Sequence, residues 1–102
     1  MDLSIAIVSW NTRDLLNDCL VSVPGAAHGL EYEVIVVDNA SSDGSPTMVS
    51  EAHPEVKLIA NEANAGFARA NNQAYEVGAG RNFLLLNPDT VCHADSLTTL
   101  VR

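Results

Sequence analysis

The sequence predicts an α/β domain with a mostly parallel sheet of about four strands flanked by helices. One observation is a set of four short runs rich in Ile, Val and Leu, typical of strands that are covered on both faces. A second is that segments with a helical period near 3.6 separate these runs, which favours right-handed βαβ crossovers. A third is the length of 102 residues with 47% hydrophobic residues, which suits one domain or part of one.

The first strand covers residues 3–9 ("LSIAIVS"), and a helix follows it. Asn11 or Thr12 can cap this helix, and Pro24 with Gly25 ends it after about Val23. The residues expected on its apolar face have helical spacing and are Leu15, Leu16, Cys19, Leu20 and Val23.

The second strand covers residues 33–37 ("EVIVV") and leads into a short helix. Ser45 is the expected N-cap of that helix, and Pro46 takes the first helical position, where a backbone N–H is not needed. We expect the helix to stop before Pro54, because proline cannot continue the hydrogen-bond ladder.

The second half of the chain supplies two further strands and two helices. Phe67 and Tyr75 are expected to pack the third helix on the sheet, and Gly78 and Gly80 end that helix. No strand follows the last helix, so we expect a truncated sheet. The predicted elements are strands at residues 57–60 and 82–86 and helices at residues 66–77 and 94–102.

The charges and the N-terminus limit the classes of function. Thirteen acidic residues against five Lys and Arg give a formal charge of −8, which opposes binding to nucleic acid and to anionic lipid. An early Asp and a short apolar run predict neither a signal peptide nor a membrane span, and a cytoplasmic location is the default expectation. Cys19 and Cys92 lack metal-ligand spacing, so we expect buried thiols rather than a disulfide or zinc site.

Polar residues follow each of the four predicted strands. They lie at residues 9–11, 38–39, 61–64 and 87–89. Each stretch alone also suits an ordinary turn, because Asn and Asp side chains bond to the local backbone. The carboxyl ends of parallel strands lie at one edge of a sheet and form ligand sites there, so four such stretches together favour a site.

Two familiar ligand motifs do not fit these strand ends. "SWNTRD" after the first strand has no glycine, so the dinucleotide fingerprint is absent, and a Walker A loop is absent as well. "NASSDG" after the second strand is similar to a calcium loop, but Ser50 stands where an EF-hand needs Glu. Asp89 remains as a carboxylate at the sheet edge, and one carboxylate suffices for Mg²⁺ or Mn²⁺ when diphosphate and water complete the coordination.

Four ordered segments resemble the N-terminal half of family-2 glycosyltransferases, which have the Rossmann-like, nucleotide-binding GT-A fold. The segments are "SIAIVSWNTRDLLNDCLVSV", "EVIVVDNASSDGS", "NEANAGFARANNQA" and "LLLNPDT", and they span nearly the whole chain. The Asn-Pro-Asp triplet is most similar to a rhamnosyltransferase-like subgroup that acts in cell-wall and O-antigen synthesis. The resemblance implies that residues 1–102 are a single donor-binding half-domain.

The resemblance also implies the ligand, a UDP- or dTDP-sugar with Mg²⁺ or Mn²⁺. Ser9 and Asp38 would contact the base, with Asp38 accepting the imide N–H of uracil or thymine, and Asp89 would bind the metal. Arg69 would lie near the base or diphosphate, and Asn87 would bond to a ribose hydroxyl. The other residues expected at the donor are Asn11, Asn64, Gly66 and Asn71.

The same resemblance implies an inverting reaction whose catalytic base lies in a C-terminal half, beyond a point comparable to Arg102. The glycan or lipid-linked acceptor, and a peripheral position at the inner membrane, would belong to the full-length enzyme. We expect the isolated chain to form homo-oligomers through exposed sheet surface. The alternative is a non-catalytic or regulatory module that retains pyrimidine-nucleotide binding. A nucleotidyltransferase is a weaker alternative, because its glycine-rich basic signature is absent.

Overall fold

A computed structural model of the chain describes residues 1–101 and has the predicted α/β architecture. The four strands form one sheet in the order β3-β2-β1-β4, and every pairing is parallel. Over the described residues, no helix has both the length and the apolar character needed to cross a membrane. The elements are β1 (Leu3–Ser9), α1 (Arg13–Ala26), β2 (Tyr32–Asp38), α2 (Ser45–Ala52), β3 (Lys57–Ala60), α3 (Phe67–Val77), β4 (Asn82–Leu85) and α4 (Ser96–Val101). Arg102, where the last predicted helix ends, lies outside them.

The two central strands are buried on both faces because helices cover both sides of the sheet. On one face, alternate side chains of β1 and β2, including Ile5 and Val36, pack against α1, α2 and α4. On the other face, Ile35 packs in a smaller cluster with Ala70 and Ala74 of α3. The small side chains let α3 approach the sheet closely, and the double cover explains the continuous apolar runs of these strands.

Helix α1 differs from its prediction at its C-terminal end and in the residues that it buries. It continues to Ala26, one turn beyond the predicted end at Val23, with Pro24 inside it. The proline lies in the last turn and removes a single backbone hydrogen bond. Ala26 is fully buried, and the burial of its side chain stabilises the extra turn. Leu15, predicted on the apolar face, is 49% exposed, because the buried face is narrower than predicted.

Of the two aromatic residues predicted to pack α3 on the sheet, Tyr75 does so only at the edge strand β4, and the prediction for Phe67 is wrong. Phe67 is 58% exposed and Tyr75 is 65% exposed, because the face of α3 that meets the sheet is formed by Ala70 and Ala74. Tyr75 instead makes an edge-to-face contact with Phe83 of β4, with ring centroids 5.1 Å apart. The contact covers the side of β4 and leaves most of the Tyr75 ring in solvent.

A buried carboxylate closes the amino edge of the sheet. Glu33 accepts hydrogen bonds from Ser4 Oγ at 2.5 Å and from the Ala79 N–H at 2.6 Å, and Lys57 Nζ lies 2.6 Å from it. Burial by itself raises the pKa of Glu33, but these donors outweigh it and lower the pKa to about 2. Ser4 Oγ also accepts the Gly80 N–H at 2.8 Å, so the group anchors the connection between α3 and β4.

Both cysteines are free thiols, as predicted. Cys19 is buried in α1 and Cys92 is half-buried in the segment before α4. Burial raises the pKa of Cys19 to about 11, and the nearby Cys92 and Asp89 add to the effect. Cys19 is therefore protonated at neutral pH and is a packing residue rather than a nucleophile.

Candidate functional site at the carboxyl edge of the sheet

The carboxyl ends of β1, β2 and β3 are level with one another. Ser9 pairs with Asp38, and Asp38 pairs with Ala60. Beyond the strands, the Asn39 N–H donates to Ser9 O and the Asn61 N–H donates to Asp38 O, both at 2.9 Å. The structure therefore brings the first three predicted polar stretches together at one edge.

Strand β4 ends before the level that the other three strands reach at the carboxyl edge. Its last residue, Leu85, pairs with Ala6, and the Leu86 N–H donates to Ala6 O at 2.8 Å. The chain then forms a turn in which the Thr90 N–H donates to Asn87 O at 3.1 Å. This turn follows β4, which is the neighbour of β1 in the sheet. It carries Asp89, the predicted metal ligand.

Asp38 is held by the turn that follows it. Its Oδ2 accepts the Ser41 N–H at 2.9 Å, and its Oδ1 accepts the Ser41 hydroxyl at 2.7 Å. Each carboxylate oxygen keeps a further lone pair, although the residue is only 1% exposed. The orientation of the carboxylate predicted to bind the base is thus fixed before any ligand arrives.

Ser9 is also 1% exposed, and its hydroxyl lies 2.9 Å from Thr12 Oγ1 at the start of α1. Of the two predicted caps of α1, Asn11 and Thr12, it is Thr12 that directly precedes the helix. Its side chain makes no capping hydrogen bond. The Ser9 side chain is therefore engaged inside the first βα turn.

Asn11 joins the loop after β1 to the loop after β2. Its N–H donates to Ser41 Oγ at 2.9 Å, and its Oδ1 accepts the Ser42 N–H at 2.8 Å. Asn11 has φ +50° and Ala40 in the other loop has φ +64°, so both occupy the left-handed region at a cost of about 1 kcal/mol each. The hydrogen bonds between the loops hold this strained arrangement, in which Asn11 also supports Ser41 and, through it, Asp38.

Asp43 caps two helices at once, a role that was not predicted. Its Oδ2 accepts the Arg13 N–H of α1 at 2.9 Å, and its Oδ1 accepts the Ser45 N–H and hydroxyl of α2 at 3.0 and 2.5 Å. The Ser45 hydroxyl and these N–H donors lower the pKa of Asp43 against the opposing effect of burial. Ser45 is therefore not the N-cap of α2, since Gly44 with φ +87° holds that position. An Asp two residues before Ser-Pro was the available signal.

The hydrogen bonds by which Asn39 connects the loops at the carboxyl edge were likewise not predicted. Asn39 is 3% exposed, and its Nδ2 donates to Gly66 O at 3.3 Å. Its Oδ1 accepts the Ala65 N–H at 3.2 Å and Asn61 Nδ2 at 3.0 Å. Asn61 in turn exchanges two hydrogen bonds with Gln73 of α3, at 2.9 and 3.0 Å. No spacing rule predicts such pairing between amides, because it depends on the sheet order.

The predicted donor residues after β3 lie in the loop that enters α3 and on the first turns of that helix. Asn64 Oδ1 accepts the Gly66 N–H at 2.9 Å, which stabilises the loop where Gly66 has φ +83°. Arg69 is exposed on α3. Asn71 is half-buried, and its Oδ1 is a buried acceptor with no hydrogen-bond partner in the described part of the chain.

Asp89 and Asn87 are both exposed, which suits a cation reached from solvent. Within residues 1–101, no three His, Cys, Asp or Glu side chains gather into a metal-binding cluster. The donor set at this turn is one carboxylate with an amide oxygen two residues earlier. Such a set fits a hard divalent cation that takes its other ligands from phosphate and water.

Apart from the exposed Arg69 on α3, little positive charge faces this edge in the described part of the chain. Arg13 Nε lies 3.2 Å from Asp14 Oδ1, and Arg13 Nη1 donates to Asp43 O at 3.2 Å. Lys57 is paired with Glu33 at the opposite edge. Arg69 alone would offset only part of the charge of a diphosphate, so we expect a cation from solution to compensate the rest in this acidic chain.

Comparison with known proteins agrees with this architecture. The model of the glycosyl transferase family 2 matches residues 4–102. The succinoglycan biosynthesis protein ExoO of Rhizobium meliloti is 30% identical over 102 residues, which cover 99% of this chain and 29% of ExoO. The chain thus spans less than a third of that relative's length.

Two solved structures share the fold. Residues 1–349 of S. aureus TarS in complex with UDP superpose with a TM-score of 0.85 at 23% identity, over 98% of this chain and 31% of that one. The mannosyltransferase PcManGT of Pyrobaculum calidifontis, in complex with GDP-Man and Mn²⁺, has a TM-score of 0.83 at 27% identity, over 97% and 30%. Since the family model matches nearly the whole chain, the protein belongs to the glycosyl transferase family 2.

Proposed function

We propose that the carboxyl edge of this chain binds a UDP- or dTDP-sugar together with Mn²⁺ or Mg²⁺, for glycosyl transfer in polysaccharide synthesis. The observation that carries the proposal is the Asp38 carboxylate, buried at a strand end and oriented by Ser41 in a chain of this family. ExoO is described as a succinoglycan biosynthesis protein, which supports the proposed role in polysaccharide synthesis.

Asp38 is proposed to select the base. A carboxylate whose oxygens already accept from Ser41 can still accept one more N–H, and the imide of uracil or thymine offers one. Ser9 and Asn11 are proposed to line the base through the loop they shape. Asn64, Gly66, Arg69 and Asn71 are proposed to line the nucleotide from the side of α3.

Asp89 is proposed to hold the metal, and Asn87 to bond to the ribose. A divalent cation there would neutralise charge on the diphosphate as it leaves the sugar. Arg69 is the one cation proposed to line the nucleotide, which leaves a charge for the metal to offset, and PcManGT, 27% identical, is described as a complex with Mn²⁺. Asp89 contributes one ligand, so the bound diphosphate must complete the site.

Residues 1–102 are proposed to be the donor-binding part of an inverting enzyme, in the cytoplasm or at the inner membrane surface. The catalytic base that deprotonates the acceptor hydroxyl is proposed to lie outside this segment. The contacts to a glycan or lipid-linked acceptor are proposed to lie outside it as well. The exposed side chains of Leu85, Val91 and Leu100 support self-association of the isolated chain, which sedimentation at increasing concentration measures.

Titration calorimetry with UDP, dTDP and GDP in the presence of Mn²⁺ tests the proposal. We expect UDP or dTDP to bind at least about tenfold more tightly than GDP. Asp38→Asn keeps the side-chain volume but presents an amide in place of a carboxylate oxygen, and should weaken UDP binding by about tenfold or more. Glu51→Gln on the exposed face of α2 is the matched control and should bind as the unchanged chain does. Tighter binding of GDP would contradict the assignment of the base.

A further inference from the structure

We propose that Asn39, Asn61 and Gln73 form a positioning network that fixes the donor loop, residues 62–66, against the end of β2. The inference rests on the proposed function, because it concerns the geometry of the same nucleotide site. The three side chains, called the amide network below, come from the ends of β2 and β3 and from α3. None of them is among the residues proposed to contact the donor.

Asn39 binds the donor loop as a neighbouring strand would. Its amide accepts the Ala65 N–H at 3.2 Å and donates to Gly66 O at 3.3 Å, so one side chain pairs with two successive backbone groups. The residue is 3% exposed. If the pairing broke, the buried Asn39 amide would lose its partners, so the loop has a strong preference for this position.

Asn61 and Gln73 hold the Asn39 amide in the orientation that this pairing needs. Asn61 Nδ2 donates both to Asn39 Oδ1 and to Gln73 Oε1, at 3.0 and 2.9 Å. Gln73 Nε2 donates back to Asn61 Oδ1 at 3.0 Å. Asn39 Oδ1 thus receives two donors, which leaves Nδ2 for Gly66 O and prevents the amide from turning over.

The amide network links two parts of the proposed site. Asn39 directly follows Asp38, which is proposed to read the base. The loop it holds contains Asn64 and Gly66 and leads into α3, which carries Arg69. A change in the network therefore moves one side of the nucleotide site relative to the other, and its members act as positioning residues rather than as ligand contacts.

Asn61→Asp tests the network with little change in volume. The substitution removes both Nδ2 donations and places a carboxylate oxygen against two acceptor oxygens. We expect the affinity for UDP with Mn²⁺ to fall about tenfold, measured by calorimetry at a temperature where circular dichroism shows a folded chain. The matched control is Gly80→Ala, which strains the opposite edge of the sheet and should keep the affinity for UDP within about twofold.

The proposal is overturned if Asn61→Asp binds UDP as tightly as the unchanged chain, or if Gly80→Ala loses as much affinity. Hydrogen exchange at the Ala65 amide gives a second measure that needs no ligand. We expect protection in the unchanged chain and in Gly80→Ala, and its loss in Asn61→Asp. Ala65 protection in a chain that binds no nucleotide would support the network and contradict only the proposed function, whereas an unprotected Ala65 in the unchanged chain would overturn the network.

Discussion

Asp38, Asn39 and Asp43 lie in one short loop, and each holds a different part of the carboxyl edge. Asp38 is tied to Ser41, Asn39 to the loop before α3, and Asp43 to the first turns of α1 and α2. All three use side-chain oxygens to accept hydrogen bonds that the backbone of an irregular loop cannot otherwise make. These hydrogen bonds restrain the loop around the carboxylate proposed to bind the base.

The lowered pKa of Glu33 predicts how the stability of the fold changes with pH. Its pKa of about 2 in the folded chain lies below the ordinary value of 4.5, so its stabilisation is complete above about pH 5 and is lost as the pH falls toward 2. We expect this loss to be about 2 kcal/mol, because Lys57 is half exposed and screened. Urea unfolding between pH 5 and 2 measures it as the difference between the unchanged chain and Glu33→Gln.

The exposed Glu76→Gln on α3 is the control for this experiment and should retain the pH dependence of the unchanged chain. Other carboxylates, such as Asp43, lose stabilisation in every variant and cancel in the comparison. Equal pH dependence in Glu33→Gln and the unchanged chain would show that the Glu33 carboxylate does not stabilise the fold.

Among the elements, the connection between α3 and β4 shows how closely the chain packs at the amino edge. A Cβ atom added to Gly80 would lie 2.5 Å from Ser4 N and 2.6 Å from Leu3 C, both backbone atoms that cannot move aside. A Cβ added to Gly25 in the last turn of α1 meets no atom within 4 Å. The two glycines therefore provide a matched pair of sites.

Gly80→Ala should lower the free energy of unfolding by about 2 kcal/mol or more, because the backbone must shift to admit the methyl group. Gly25→Ala should leave it unchanged or raise it by up to about 1 kcal/mol, since alanine favours a helix. Chemical denaturation of both variants measures the difference. A Gly80→Ala chain as stable as Gly25→Ala would mean that the connection does not approach β1 as described.

The periodic segments explain why the elements were predictable and the loops were not. The apolar runs of β1 and β2 and the spacing in α1 report burial directly, so element order and parallel pairing followed. The packing of Phe67 and the extra turn after Pro24 depended on tertiary burial that one segment does not encode. The bonds of Asn39 and Asp43 join residues brought together only by the order β3-β2-β1-β4, so no local pattern predicts them.

On the scale of the whole molecule, the two edges of the sheet are used differently. The amino edge is closed by Glu33, Ser4 and Lys57, which stabilise the fold. The carboxyl edge carries the polar loops and Asp89, and besides Arg69 it has few free positive charges among residues 1–101, in a chain of net charge −8. We therefore propose that a nucleoside diphosphate bound at this edge depends on a divalent cation, and that the cation depends on the diphosphate.

Mn²⁺ titration in the absence and in the presence of UDP tests that dependence most directly. With one carboxylate at the site, we predict that Mn²⁺ binds at least about tenfold more tightly when UDP is present, and that Asp89→Asn abolishes this difference. Asp95→Asn, another exposed carboxylate near the C-terminus, should leave the difference intact. Equal Mn²⁺ affinity with and without UDP, or an undiminished difference in Asp89→Asn, would contradict the account.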